Sequence, residues 1–293
     1  MKTFFPAAAF AAALFLSCGV YAGIESEVFI RGLQDEKFWT RVHAAEYLTQ
    51  SDPGNIHLQK WLADAEKRYT ALPVKRVGVW RVKALKIQSS GNTDKTIQQL
   101  YGYLKKTAFT PDAPDRIHAF ETLFKLRVPL EPAEILQLKK AILDKASPPA
   151  LRIYGAALWS LNDPAEGNSI LLEIFNGAKI GSIEKYLTLF VWKNSSALPA
   201  SVLDAVNNAL VSQKYSPSMQ MIMLGILLNH QKITLDELFL QAGKLQTNGA
   251  ELLRITVKHA PGKSRQMIKQ CAASADIELQ MLAAWASIKI RNR

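Results

Sequence analysis

The segment RVHAAEYL at residues 41–48 recurs down the chain in three variants: RVGVWRVKAL (76–85), RIHAFETL (116–123) and RIYGAALWSL (152–161). Each copy begins with an arginine, and these leading arginines are Arg41, Arg76, Arg116 and Arg152. They follow one another at intervals of about 35 to 40 residues, a period typical of arrays of paired helices. Within the first copy, Val42, Ala45 and Leu48 share one helical face. The repeat therefore predicts an all-α fold.

The repeat continues in a weaker form to the end of the sequence. The later copies are IEKYLTLFVW (183–192), MQMIMLGILL (219–228), LLRITVKHA (252–260) and LQMLAAWASI (279–288). Proline- and glycine-containing breakers, such as Asp163-Pro164, separate each marked helix from the next pair. No alternation of apolar and polar residues is long enough to indicate a sheet. We predict a right-handed α-solenoid of about eight helix pairs, in one domain over residues 23–293.

The marked helices resemble a known repeat family. Their Arg-x-x-Ala-Ala-x-x-Leu-like pattern is similar to the second helix of HEAT repeats, in the armadillo/HEAT class. The likeness covers most of the mature chain and is closer in the first four repeats than in the later ones. RVHAAEYL and RIHAFETL resemble the helices of exported bacterial HEAT-repeat proteins. Second helices of such arrays line a concave surface that holds a protein or peptide, so the resemblance implies a binding scaffold.

The N-terminus has the composition of a secretory signal. Lys2 precedes an apolar run at about residues 4–16, and small residues lead up to a cleavage point after Ala22. We therefore predict a signal peptide over residues 1–22. The alternative is lipidation at Cys18, although phenylalanine fits badly at the third position before that cysteine. Both routes predict an exported protein, periplasmic or attached to the cell envelope.

Cysteine count and charge limit the remaining possibilities. Loss of Cys18 with the leader leaves Cys271, which excludes an intramolecular disulfide and makes a buried thiol the simplest expectation. The run MIMLGILL (221–228) is too short to span a membrane, so we expect no transmembrane helix after the leader. The formal net charge of +11 favours anionic partners, either an acidic protein surface or an anionic glycan. Export disfavours nucleic acid.

Polar residues occur at the third and sixth positions of the first repeats, away from the packing face. We predict that the binding surface is formed by His43, Glu46, Arg81, His118, Glu121 and Tyr154. A structural alternative is open at each position: the charged residues could form a salt-bridge ladder, and the tyrosine could belong to the core. The leading arginines are expected to pair with an acid or a carbonyl of a neighbouring repeat.

Signatures of catalysis and of metal binding are missing from the sequence. The two His–Glu pairs are two repeats apart, and packed helices lie about 8–10 Å apart, so one ion could not reach both. There is no GxSxG, P-loop or GxGxxG motif. We therefore expect no metal or cofactor and favour a non-enzymatic scaffold that binds a protein or another anionic partner on its concave face. The alternative is a carbohydrate-acting enzyme or glycan-binding module for acidic sugars of the cell envelope.

Overall fold

A computed structural model describes residues 24–70, 79–90, 93–113, 115–245 and 249–292. These residues form sixteen α-helices and one short 3₁₀ turn at Pro261–Lys263, and they contain no β-strand. The all-α prediction is confirmed. The predicted signal peptide, Cys18, Arg76 and Gly78 lie outside the described residues.

The helices follow one another in eight pairs. They are α1 (Ile24–Gly32) with α2 (Phe38–Ser51), α3 (Ile56–Thr70) with α4 (Val79–Ser89), α5 (Asp94–Phe109) with α6 (Arg116–Lys125), α7 (Pro132–Leu143) with α8 (Pro149–Trp159), α9 (Pro164–Gly177) with α10 (Ile183–Lys193), α11 (Ala200–Val211) with α12 (Pro217–Asn229), α13 (Leu235–Ala242) with α14 (Ala250–His259), and α15 (Arg265–Ala272) with α16 (Ile277–Arg291). Every even-numbered helix carries one copy of the sequence repeat. The arginine-led pattern therefore marks the second helix of each pair.

Turn chemistry explains where several helices begin. Proline occupies the first helical position of α7, α8, α9 and α12, where a missing N–H costs no hydrogen bond. Asp163 accepts a hydrogen bond from the backbone N–H of Glu166, and Ser216 accepts one from that of Met219. These side chains satisfy N–H groups that the first turn of a helix leaves unpaired.

The chain divides into two compact units. Unit 1 lies within Met1–Thr107, Ala113–Asp115 and Ser264–Arg293, and unit 2 consists of Ala108–Asp112 and Arg116–Lys263. In unit 2 the second helices α6, α8, α10, α12 and α14 pack against one another in that order, while α7, α9, α11 and α13 pack against them from the side. In unit 1, α2 packs against α4 in the same way. Neighbouring contacts of this kind are what a stack of helix pairs requires.

Unit 1 joins the two ends of the described chain. The last helix, α16, packs against both α1 and α2. The Tyr47 ring stacks on Phe29 with centroids 5.3 Å apart and lies 6.5 Å from the ring of Trp285. Arg31 donates a hydrogen bond from Nη2 to Oε1 of Gln280 at 2.9 Å. An array stacked only between successive neighbours has no contact of this type, and the repeat pattern did not predict it.

The predicted packing faces are buried. Val42, Ala45 and Leu48 have no exposed surface, which confirms the face assigned from the first repeat. Most of the run 221–228 is buried within α12, as expected, and Cys271 is buried as well. Within the described residues, none of the helices is both long and apolar enough to cross a membrane.

Candidate functional site

The sequence predicts an acid or a backbone carbonyl as the partner of each leading arginine, and Arg116 and Arg152 both contact carbonyls. Arg116 donates from Nε to the carbonyl of Ala108 at 2.8 Å, in the last turn of α5. Arg152 donates from Nε to the carbonyl of Ile142 at 2.9 Å, in the last turn of α7. Carbonyls at the end of a helix have no intrahelical partner and carry the negative end of the helix dipole. Each arginine therefore ties the second helix of a pair to the end of the first helix of the same pair, rather than to the next repeat.

The same type of contact occurs at the aligned position of other pairs, including two where the arginine is replaced. Arg41 donates from Nη1 to the carbonyls of Asp35 and Glu36, just after α1. In the fifth pair the aligned residue is Lys185, which donates from Nζ to the carbonyl of Phe175 in α9. In the sixth it is Gln220, which donates from Nε2 to the carbonyl of Tyr215 at 2.7 Å. In these five pairs the residue at this position donates to a backbone carbonyl, while its charge varies.

His43 is the most exposed of the six predicted binding residues, with 44% of its side chain accessible. It does not pair with Glu46 on its own helix. Its Nδ1 instead lies 3.1 Å from Oε1 of Glu278, on α16. This hydrogen bond, assisted by the charges of Glu278 and Glu46, raises the pKa of His43 against the opposing effects of burial and of Arg81. The contact therefore links α2 to α16 within unit 1.

Glu46 pairs with Arg81 across two neighbouring helices of unit 1. The Arg81 Nε lies 3.0 Å from Oε1 of Glu46, and only 14% of the arginine side chain is accessible. The pair therefore stabilises the packing of α2 against α4. For these two residues the contact matches the alternative of a salt-bridge ladder.

The predicted histidine–glutamate pair of α6 forms within unit 2. His118 Nδ1 lies 3.2 Å from Oε2 of Glu121, as the spacing allows. Lys125 donates from Nζ to Oε1 of the same carboxylate at 2.5 Å, and its ammonium lies 5.0 Å from the centre of the Phe190 ring. Both oxygens of the buried Glu121 are thus occupied. The carboxylate is held by its own helix and is not directed to a ligand.

Tyr154 lies in the core. Only 5% of the residue is accessible, and nearly the whole of α8 around it is buried. The alternative given for this residue, a core aromatic, matches its position. Tyr154 offers almost no accessible surface to a ligand.

A basic cluster that the sequence analysis did not predict lies on three second helices of unit 2. We define it as Lys193 of α10, His230 at the end of α12, and Arg254, Lys258 and His259 of α14. Glu251 is the acid among them: its Oε1 lies 2.5 Å from Nζ of Lys193, and its Oε2 lies 3.7 Å from Nη1 of Arg254. Asn229 Oδ1 accepts a hydrogen bond from Lys258 Nζ at 2.8 Å and lies 2.9 Å from Nε2 of His259.

Partial desolvation and neighbouring positive charge act on two members of the basic cluster. Partial desolvation and, second, the positive charge of Lys193 lower the pKa of Lys258. Burial and, second, the charge of Lys258 lower the pKa of His230. The buried Nε2 of His230 has no hydrogen-bond partner among the described residues. Cations in the last turn of a helix complement its dipole, which gave a sequence signal for this cluster.

A groove of about 620 Å³ lies at the other end of α10, between the end of α9 and the exposed side of α11. It is lined by Leu172, Phe175, Asn176, Ile180, Lys185, Ser201, Asp204, Ala205, Asn208, Ala209, Ser212, Lys214 and Tyr215. Lys185 is its most unusual residue, because only 5% of it is accessible. Burial lowers the pKa of this lysine. Nothing in the repeat pattern indicated a cavity here.

No group of three or more histidine, cysteine, aspartate and glutamate side chains within the described ranges is arranged to hold a metal ion. Comparisons with known protein families, curated proteins and solved structures find no match to this chain. The likeness of the marked helices to HEAT repeats stays a prediction.

Proposed function

We propose that the protein is an exported, non-enzymatic HEAT-like scaffold that binds an acidic protein surface through the basic cluster. The observation that carries this proposal is the grouping of Lys193, Arg254 and Lys258 with Glu251 as the acid among them, where the charge of Lys193, after desolvation, contributes to the lowered pKa of Lys258. A site where like charges repel one another gains stability when an anion is bound, and a carboxylate-bearing partner supplies that anion.

The charge distribution of the chain supports a partner of this sign. The formal net charge is +11. Several acidic residues are already engaged by basic residues within the fold, including Glu46, Glu66, Glu121, Glu166 and Glu251. Exposed lysines and arginines therefore dominate the field outside the molecule, which speeds the encounter with an acidic surface.

The contacts of His43 and His118 do not separate binding from catalysis, because a carboxylate on Nδ1 also orients the histidine of a general base. His43 and His118 are each held by a carboxylate, and in both cases that carboxylate belongs to a contact within or between helices. A general base needs its second nitrogen to face a reacting group. The alternative function, an enzyme acting on acidic sugars, rests on these residue types alone.

The test is the affinity for an oligoglutamate peptide, measured by calorimetry over a series of salt concentrations. We expect binding that weakens as salt rises, because the partner is held by exposed charges. The double variant Arg254→Gln, Lys258→Gln should bind about three- to tenfold more weakly, from two exposed charge contacts. The matched control is Lys140→Gln with Lys145→Gln, two exposed lysines in and after α7, and it should bind like the unmodified protein.

Two results would contradict the proposal. If the unmodified protein and the basic-cluster variant bind oligoglutamate with equal affinity, the basic cluster is not the binding site. Cleavage of an acidic polysaccharide such as polygalacturonate by the purified protein would instead establish the carbohydrate-acting alternative.

Export is proposed on the N-terminal sequence, which lies outside the described residues. Protein isolated from its native host should begin after Ala22, or at a lipidated Cys18. Intact mass measurement distinguishes these two products, and a full-length cytosolic chain would exclude both.

A further inference from the structure

The groove beside α9, α10 and α11 is lined by a buried cation, the ammonium-bearing side chain of Lys185. The ammonium of Lys185 has three N–H donors, and the carbonyl of Phe175 accepts one of them. The ammonium also lies 4.1 Å from the centre of the Phe175 ring and 5.8 Å from that of Tyr215. Asp204 lines the same groove, but no acidic side chain forms an ion pair with Lys185 in the described part of the chain. A buried charge without a counter-ion is costly.

The structural role of this position does not require a charge. At the aligned position of the next pair, the neutral Gln220 makes an equivalent hydrogen bond to a backbone carbonyl. Arg116 and Arg152, which also tie two helices together, are only half-buried, so water still solvates their guanidinium groups. Lys185 is the one residue among these that is both charged and buried.

We propose that this groove binds the C-terminal carboxylate of a peptide, with the ammonium of Lys185 as its counter-ion. A carboxylate provides the negative charge that the buried ammonium lacks and accepts its remaining N–H groups. The groove holds two lysines, Lys185 and Lys214, against the single carboxylate of Asp204, so its lining is net positive. Capture of a terminal carboxylate is an established mode of peptide recognition.

The remaining lining fits a peptide better than a sugar acid. Sugars bind by stacking on an exposed ring face, and the two rings of this groove are only 2% and 8% accessible, for Phe175 and Tyr215. Side-chain amides and hydroxyls suit a peptide main chain, since Asn176 and Asn208 can each donate and accept. Ile180 at the edge of the groove is exposed and can pack against an apolar side chain. A volume of about 620 Å³ lies within the usual range for small ligands.

This site is independent of the basic cluster. Lys185 lies in the first turn of α10 and Lys193 in the last, so their backbones are separated by about 12 Å along the helix axis. Binding of a peptide terminus in the groove can therefore succeed or fail irrespective of how the basic cluster binds its partner.

The test uses two pools of short, N-acetylated peptides with degenerate sequence, one ending in a free carboxylate and the other in a carboxamide. Each pool is passed over the immobilised protein, and the retained fraction is measured by mass spectrometry. Acidic side chains are equally frequent in both pools, so contacts with the basic cluster cancel in the comparison. We expect the carboxylate pool to be retained about tenfold or more over the carboxamide pool.

Three variants locate the effect. Lys185→Met should abolish the preference for the carboxylate pool, whereas Lys179→Met, at an exposed lysine that does not line the groove, should keep it. Asn208→Trp places a large side chain in the groove from an exposed helical position, and it should lose retention of the carboxylate pool without a change in melting temperature. If Lys185→Met does not fold, Asn208→Trp decides the question.

Equal retention of the two pools by the unmodified protein would overturn the proposal. So would a preference that survives in Asn208→Trp. In either case, unchanged affinity for oligoglutamate would show that the proposed function at the basic cluster stands without the groove.

Discussion

Replacement of Arg116 by alanine tests whether the repeated donor position holds each helix pair together. The Arg116 Nε donates to the carbonyl of Ala108 at 2.8 Å, and its guanidinium lies 5.8 Å from the centre of the Phe120 ring. Burial lowers the pKa of the guanidinium, although the charge of Asp112 acts in the opposite direction. Arg116→Ala removes a hydrogen bond from a charged donor and leaves a helix-terminal carbonyl without its partner.

The expected cost follows from those contacts. A hydrogen bond to a charged group contributes about 1.5–3 kcal/mol, and the distant ring contact adds at most about 0.5–1 kcal/mol. Because Arg116 is only half-buried, water can replace part of the lost bond, so we expect destabilisation by about 1–3 kcal/mol. Urea unfolding followed by circular dichroism measures this change, and the corresponding fall in melting temperature is about 2–4 °C for each kcal/mol.

Arg254 provides a matched control for this experiment. It occupies the aligned position in α14, but its side chain is 44% exposed and its ion-pair partner Glu251 is 3.7 Å away. Arg254→Ala should therefore cost less than about 0.5 kcal/mol. Arg116→Lys should recover part of the loss, because Lys185 makes the same type of contact with an ammonium group. If Arg116→Ala were no less stable than Arg254→Ala, the carbonyl contact would not be what holds the pair together.

Two further predictions concern stability. The hydrogen bond to Glu278 raises the pKa of His43, so this contact stabilises the fold below about pH 6.5 and loses its effect as pH rises through the raised value. The difference in free energy of unfolding between the unmodified protein and Glu278→Gln should therefore depend on pH across this range. A difference that stays constant with pH would refute the prediction. Gly167→Ala should destabilise the protein by about 1–3 kcal/mol, because the new Cβ would lie 2.5 Å from the backbone nitrogen of Ser160. Gly102→Ala, inside α5, should stabilise it by about 0.5–1 kcal/mol, because the new Cβ meets nothing within 4 Å. Equal effects of the two variants in thermal melts would contradict the packing described.

The sequence predicted the helix pairs well because each of them is encoded locally. The apolar face of residues 41–48, the proline at the first turn of α8 and the leading Arg152 all act within one pair or between neighbours. The contact of α16 with α1 and α2 was not predictable in this way. It joins residues such as Gly32 and Met281, which are far apart in sequence and belong to no common pattern.

The candidate sites show the same limit. Positions three and six of each repeat identified groups that face away from the core, such as His43, but they could not show that Glu278 would pair with it. Tyr154 occupies the same repeat position and is buried, because α8 is surrounded by neighbouring helices. The charge of Lys185 is visible in the sequence, while its burial beside a groove depends on how α9 and α11 pack around it.

Titration of the Lys258 ammonium by NMR tests the central claim, a group of neighbouring positive charges that binds an acidic partner. In the unmodified protein the pKa should lie below the usual value of about 10.4. Lys193→Gln should raise it, because one neighbouring positive charge is removed, and saturating oligoglutamate should raise it as well, because binding and protonation are linked. An ordinary pKa that responds neither to Lys193→Gln nor to oligoglutamate would contradict the account.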